Sequence, residues 1–236
     1  MTADRPPDAR RRTLVLAAAS TALAALAPAC AGREVAAGAG GRAPAEPAAG
    51  TGGPSGPPPA CVLTPESSQG PYYAPGSPVR SAVVEDREGV PLRLDLRIVR
   101  SSRGCAPLVG AAVEIWQADA VGTYSAHGAT YLRGTQTTDR NGLVTFRTLV
   151  PGWYAHLAPH VHFKVRPDRH TEVSSQLFLP EDLLRTVYAG APYSRREAPA
   201  HPNARDDRFA AKGPLMTLQP VKDGAGYRAA FVVGIA

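Results

Sequence analysis

The residues best suited to chemistry are two histidines one position apart, His160 and His162, in Pro159-His160-Val161-His162-Phe163-Lys164-Val165. The run alternates as a half-buried β-strand does. Side chains at i and i+2 leave the same face of a strand, so both imidazoles point one way while Val161, Phe163 and Val165 point the other. Two imidazoles converging on one point make a candidate metal site. The plainer reading of an isolated pair is a surface strand with two solvated histidines. No Asp or Glu sits at ligand spacing in this strand, which weighs against a ferrous carboxylate site and against a zinc hydrolase.

The elements that would position these histidines are short strands. Leu92, Leu94, Leu96 and Ile98 alternate with Arg93, Asp95, Arg97 and Val99, and Val113, Ile115 and Gln117 alternate with Glu114 and Trp116. Val144 and Phe146 follow Asn141-Gly142, a hairpin signal. Ser175-Gln176-Leu177-Phe178-Leu179 reads as another strand. A closing pair is expected around Met216–Leu218 and Phe231–Val233, joined through Asp223-Gly224. Glu181–Tyr188 alone looks helical. This pattern predicts an all-β chain, a β-sandwich of two mostly antiparallel sheets. The long loops at Asp119–Arg133 and Val150–Pro159 are where such a scaffold holds its chemistry.

Four motifs in order give the pair its context. They are Val113-Glu114-Ile115-Trp116-Gln117-Ala118-Asp119 leading to Gly122-Thr123-Tyr124-Ser125, then Leu132-Arg133-Gly134-Thr135, then Val150-Pro151-Gly152-Trp153-Tyr154, and then the His160 strand. The series resembles the intradiol ring-cleavage dioxygenases, the family of catechol and protocatechuate dioxygenases, from Cys61 to about Tyr193. The opening Cys61-Val62-Leu63-Thr64-Pro65-Glu66 with Gly70-Pro71-Tyr72-Tyr73 looks like its secreted branch.

The resemblance implies a sandwich fold and Fe(3+) held by Tyr124, Tyr154, His160 and His162. Phenolate oxygen is a hard anionic donor suited to ferric iron, and the ion's charge keeps both phenols ionised. By the same resemblance Tyr154 leaves the metal when the substrate chelates it and accepts a proton, while Tyr124 stays. The implied reaction cleaves a catechol-type ring with O2 between its two hydroxylated carbons, giving a cis,cis-muconate-type product. Gln176 matches a further active-site position. One position departs from the family, which places an arginine three residues before the first histidine; here it is Leu157. His156 and Arg133 are candidates to supply the missing charge, and Leu157→Arg is expected to raise turnover on simple catechols.

The start of the chain reads as an export signal over residues 1–30, twin-arginine-like or an ordinary secretory signal. Arg10-Arg11-Arg12 precede an apolar run too short and too alanine-rich for a membrane span. Cys30 at its end is a candidate lipoprotein cysteine, the only membrane anchor expected. Residues 31–60, nearly all Gly, Ala, Pro and Ser, form a linker that cannot bury enough apolar area to order itself. The folded domain is expected over residues 61–236. Cys61 and Cys105 form either a disulfide, as an oxidising compartment favours, or two buried thiols. Localisation is therefore expected to be extracytoplasmic. The net charge of +6 lies partly in the leader and gathers in no basic block, so no nucleic-acid partner is expected. The expected partners are a small aromatic diol and O2. The alternative is an exported, non-catalytic module that binds iron or catechols. Tyr72-Tyr73 offers no broad aromatic platform for carbohydrate and fits the pocket mouth better, or simple packing of the first segment.

Overall fold

The computed structural model describes residues 61–197 and 202–236. The expected export signal, linker and Cys30 lie outside the described residues. In chain order the elements are β1 (Pro91–Arg100), β2 (Ala106–Pro107), β3 (Ala112–Trp116), β4 (Arg133–Thr137), β5 (Leu143–Leu149), β6 (His160–Arg166) and β7 (Val173–Phe178). Then follow α1 (Glu181–Tyr188), α2 (Asp207–Met216), β8 (Val221–Asp223) and β9 (Gly226–Ile235).

The strands form two sheets. In one, β1 pairs in parallel with β9 on one edge and antiparallel with β5 and β2 on the other, and β8 follows β9. In the other, β4, β3, β6 and β7 run antiparallel in that order. The core lies between the sheets. Leu92, Leu94, Leu96, Ile98, Val144 and Phe146 line it from the first sheet; Val113, Ile115, Val161, Phe163, Val165 and Leu177 line it from the second. The period-two apolar pattern thus places the inward residues correctly, as a sandwich requires.

The site depends on what happens on the other face of the second sheet. β6 was expected to be half-buried, yet His160, His162 and Lys164 are as covered as the core-facing residues between them. The cover comes from the segment before β1. It runs along the sandwich, with Thr64 N donating to Gly234 O, Ser67 N to Ser174 O and Arg80 N to Thr135 O at 2.9, 2.8 and 3.0 Å. The Cys61–Cys105 disulfide pins its start to the chain just before β2. Periodicity within β6 carries no trace of a cover supplied from 90 residues upstream.

Three other expectations are corrected. Asn141-Gly142 does not close a hairpin, because β4 and β5 belong to different sheets. The turn carries the chain across the sandwich: Asp139 Oδ1 accepts from Asn141 N and Leu143 N at 2.8 Å each, and Gly142 takes a φ of 72°. The partner of β9 in the last hairpin is β8, not Met216–Leu218; Leu218 N instead donates to Phe178 O at 2.9 Å, at the end of β7. A second helix, α2, exists despite Gly213 and Pro214 near its end. Asp206 caps it by accepting from Arg208 N. The predicted helix Glu181–Tyr188 has the expected bounds. It buries Leu183, Leu184 and Val187 and carries Glu181 and Asp182 where the helix dipole favours negative charge.

Candidate active site

His160 and His162 face the covered side of the second sheet, with their Nε2 atoms 3.0 Å apart. Register sets their neighbours: His162 lies opposite Trp116 on β3 and Gln176 on β7, so all three share that face. The Trp116 indole stacks on the His162 ring at 4.9 Å with planes 3° apart. Gly70, at a φ of 72°, lies over the same ring; a Cβ there would sit 3.3 Å from His162 Cε1. His160 Nδ1 is 2.6 Å from Ala158 O, so it carries the proton and donates, leaving the Nε2 lone pair aimed at the pocket. Gln176 is held near by Ser67, whose Oγ donates to Gln176 Oε1 at 3.3 Å, and its Nε2 lies 3.5 Å from His160 Nε2.

Tyr124 and Tyr154 reach this point from the two long loops, which are locked to each other. Asp119 Oδ1 accepts from Val121 N and Thr123 N at 3.0 and 2.9 Å, closing the turn that presents Tyr124. Gly152 N donates to Asp119 O at 2.9 Å, and Gln117 Nε2 donates to Leu149 O at 2.9 Å. Gly122, at a φ of 80°, sits where the loops touch; a Cβ there would be 2.0 Å from Trp153 O. Arg196 bridges both loops by donating from Nη1 to Val121 O and Trp153 O at 2.5 and 2.8 Å. The Tyr124 and Tyr154 rings meet edge-on at 5.1 Å, with Tyr154 6.0 Å from His160 and Tyr124 6.2 Å from His162.

The two tyrosines of the first segment part ways. Tyr72 stacks on Tyr124 at 4.4 Å and meets Tyr154 edge-on at 5.6 Å, as a residue at the pocket mouth does. Tyr73 turns instead onto the sheet, packing on Trp116 under Lys164 and hydrogen-bonding Glu114 and Arg166. Arg133 is buried and gives Nε and Nη2 to Ser125 and the Tyr72 carbonyl, leaving Nη1 without a hydrogen-bond partner, while its charge bears on Tyr124 and His162. His156 stays at the surface. The structure therefore brings together Tyr124, Tyr154, His160, His162 and Gln176. It adds Trp116, Asp119, Arg196 and Asp206, which the sequence reading had not singled out. The Asp-x-x-Gly spacing of Asp119 and Gly122 was the one local sign of such a turn.

Burial governs the ionisation of the cluster. It lowers His160 to about 4 and, with the neighbouring His160, pushes His162 well below its ordinary range. Both rings are therefore neutral near pH 7 and able to donate lone pairs. Burial also raises the Tyr124 and Tyr154 phenols above their ordinary values, so a nearby cation is needed to ionise them.

These residues fit a ferric ion. The Tyr124 hydroxyl is buried without a hydrogen-bond partner of good geometry, although the Tyr154 hydroxyl is near enough to affect its ionisation. Leaving such a group unpaired costs about 1–3 kcal/mol, which a ligand bond would recover. The two imidazole Nε2 atoms, 3.0 Å apart on one face of β6, would both be able to hold one ion. Among the described residues no three His, Cys, Asp or Glu gather as a metal cluster; the groups that the two loops bring toward the imidazoles are the phenols of Tyr124 and Tyr154.

The fold and pocket define a β-sandwich with a buried tyrosine–histidine centre built on one sheet face and two interlocked loops. The chain belongs to the intradiol ring-cleavage dioxygenase family: the family model described as "Dioxygenase" matches residues 68–198, more than half of its length. Catechol 1,2-dioxygenase 2 of Acinetobacter lwoffii is 28% identical over 143 residues, 50% of this chain and 52% of that protein. A chlorocatechol 1,2-dioxygenase of Pseudomonas putida is 31% identical over 137 residues, 47% of this chain and 51% of that one. The chain spans about half the length of these curated relatives. Among solved structures, an intradiol ring-cleavage dioxygenase from Tetranychus urticae superposes with a TM-score of 0.71 at 30% identity, covering 74% of this chain and 94% of that one. The dioxygenase domain of a dioxygenase carbohydrate-binding protein fusion from Streptomyces sp. SirexAA-E gives a TM-score of 0.59 at 30% identity, over 74% of this chain and 100% of that one.

Proposed function

We propose that this protein is a ferric dioxygenase that cleaves catechol-type rings between the two hydroxylated carbons, placing both atoms of O2 in a cis,cis-muconate-type product. The observation that carries the reading is the convergence of Tyr124, Tyr154, His160 and His162, with two neutral imidazoles 3.0 Å apart beside an unpartnered buried phenol. Family membership and the catechol 1,2-dioxygenases among its relatives support the substrate class. When bound, ferric iron supplies the Lewis acidity and redox chemistry that join an aromatic diol to O2.

The chain's own residues divide the remaining work. His160 and His162 hold the metal with rings fixed by Ala158 O and by the Trp116 stack. Tyr124, buried and wedged under Tyr72, is the phenolate that stays. Tyr154 is only half-buried and immediately precedes the turn at Ala155, so it would be the metal ligand able to move aside. Its phenolic oxygen then takes a proton from the incoming diol. Gln176 stands beside His160, where its amide can orient the substrate.

The Cys61–Cys105 disulfide supports an extracytoplasmic location, where catechols of plant or host origin are available as substrates. Oxygen uptake by the iron-loaded protein over a panel of catechols tests the activity. Uptake matched by a muconate-type product is expected. Binding without uptake would leave a non-catalytic catechol-binding module.

A further inference from the structure

Arg133 opens β4 and lies opposite Trp116 on β3, which in turn lies opposite His162 on β6. Register partners share a face, so Arg133 leaves the sheet on the side that carries His162. Its side chain is buried and makes three hydrogen bonds. Nε donates to Ser125 Oγ at 2.6 Å, and Nη2 donates to Ser125 O at 2.9 Å and to Tyr72 O at 2.7 Å. Nη1 is buried without a partner. Among the described residues, every hydrogen bond of this guanidinium therefore ends on the residue after Tyr124 or on the residue whose ring covers Tyr124. These two acceptors belong to separate pieces of chain, Ser125 to the loop after β3 and Tyr72 to the segment before β1. The Tyr72 and Tyr124 rings stack with centres 4.4 Å apart and planes 5° from parallel.

Stacking tolerates a range of offsets, so the ring pair by itself does not fix where Tyr124 sits. A planar fork with donors in set directions does, because it ties both backbones to a strand of the sheet that carries His162. We propose that Arg133 is a positioning residue for Tyr124, its guanidinium binding Ser125 and Tyr72 to β4 and so setting the Tyr124 phenol against His162. The proposal rests on the reading above, in which Tyr124 is the phenolate that stays on the metal. Tyr154 meets the two stacked rings edge-on, at 5.1 and 5.6 Å, and lies outside this tie. The role differs from the one expected of Arg133 from the sequence, which was to supply charge in place of the arginine missing at Leu157.

The test is the visible tyrosinate-to-iron band of the iron-loaded protein in a Tyr154→Phe background, where Tyr124 alone can give it. The band's position depends on how the phenolate oxygen meets the metal, so it reports orientation and not fold stability. Arg133→Lys keeps the cation and loses the fork, Arg133→Met loses both, and Tyr72→Ala removes the exposed stacking ring while leaving Arg133 in place. Iron content and unfolding midpoint are measured on each. Arg133→Lys is expected to shift and weaken the band nearly as far as Arg133→Met, with iron still bound, and Tyr72→Ala to move it in the same direction. A band that lysine preserves and methionine moves would mean that Arg133 acts by charge, which overturns the positioning role. An unchanged band in Tyr72→Ala overturns it too, whether or not the Arg133 variants fold. Loss of iron or of the fold in Arg133→Lys would make Arg133 a general structural residue and likewise overturns it. Each of these results leaves the dioxygenase reading standing. A Tyr154→Phe protein with Arg133 intact that holds iron but shows no band sinks both, since Tyr124 would then not be a ligand.

Discussion

The Trp116 indole stacks on the His162 imidazole, with ring centres 4.9 Å apart and planes 3° from parallel. Both side chains leave the second sheet on the same face because Trp116 and His162 are register partners on β3 and β6. The stack, closed from above by Gly70, sets the ring plane of a histidine whose own Nδ1 has no hydrogen-bond partner. Orientation that usually comes from a hydrogen bond comes here from packing.

Replacing Trp116 with Phe keeps an aromatic but shortens the stack. Iron affinity should fall about tenfold, at the lower end of what misoriented ligands cost. Competition with a chelator of known affinity measures it, and an unchanged constant would mean the indole does not orient His162.

Gly122→Ala places a methyl carbon 2.0 Å from Trp153 O at a residue with a φ of 80°. The loops bearing Tyr124 and Tyr154 must then separate. A loss of about 1–3 kcal/mol in stability is expected from backbone strain alone. Iron binding should suffer more than secondary structure, so circular dichroism that stays native while iron uptake falls is the predicted pair of results.

The disulfide closes a stretch with a sequence separation of 44. The chain-entropy relation assigns such a loop about 4 kcal/mol, and native disulfides in small exported domains typically give about 2–5 kcal/mol. Denaturant unfolding of the Cys61→Ser, Cys105→Ser double variant should show a loss of that size. Because the bridge holds the start of the segment over His162, the site should also become more open to solvent.

Some of this was legible in the sequence. Leu92 to Ile98 and the helix Glu181–Tyr188 announced themselves by periodicity, since both follow from local burial. The His-x-His pair and the loop tyrosines stood out through their order along the chain. The sheet to which β5 belongs did not, because Asn141-Gly142 makes the same tight turn whether the chain folds back or crosses over. α2 was hidden by Gly213-Pro214, although Asp206 is a good N-cap residue. The burial of His160, His162 and Lys164 was hidden because their cover is a distant segment. The hold of Asp206 on Ala158 spans 48 positions, a contact that no local pattern encodes.

Stripping iron from the protein should lower its unfolding temperature. A ligand present at about 100 times its dissociation constant adds about 2.7 kcal/mol to the native state, and the chelated protein loses that increment. Calorimetry with and without chelator should show the drop, and restoring ferric iron should reverse it. Equal unfolding temperatures would mean the four-residue cluster holds no iron.

Visible absorption of the iron-loaded protein before and after anaerobic addition of catechol decides whether Tyr124 and Tyr154 hold the metal. A broad tyrosinate-to-iron band is expected, shifting on catechol addition and weakening in Tyr124→Phe and in Tyr154→Phe. A protein that holds iron without such a band would show that neither tyrosine is a ligand, and the dioxygenase assignment would fall with it.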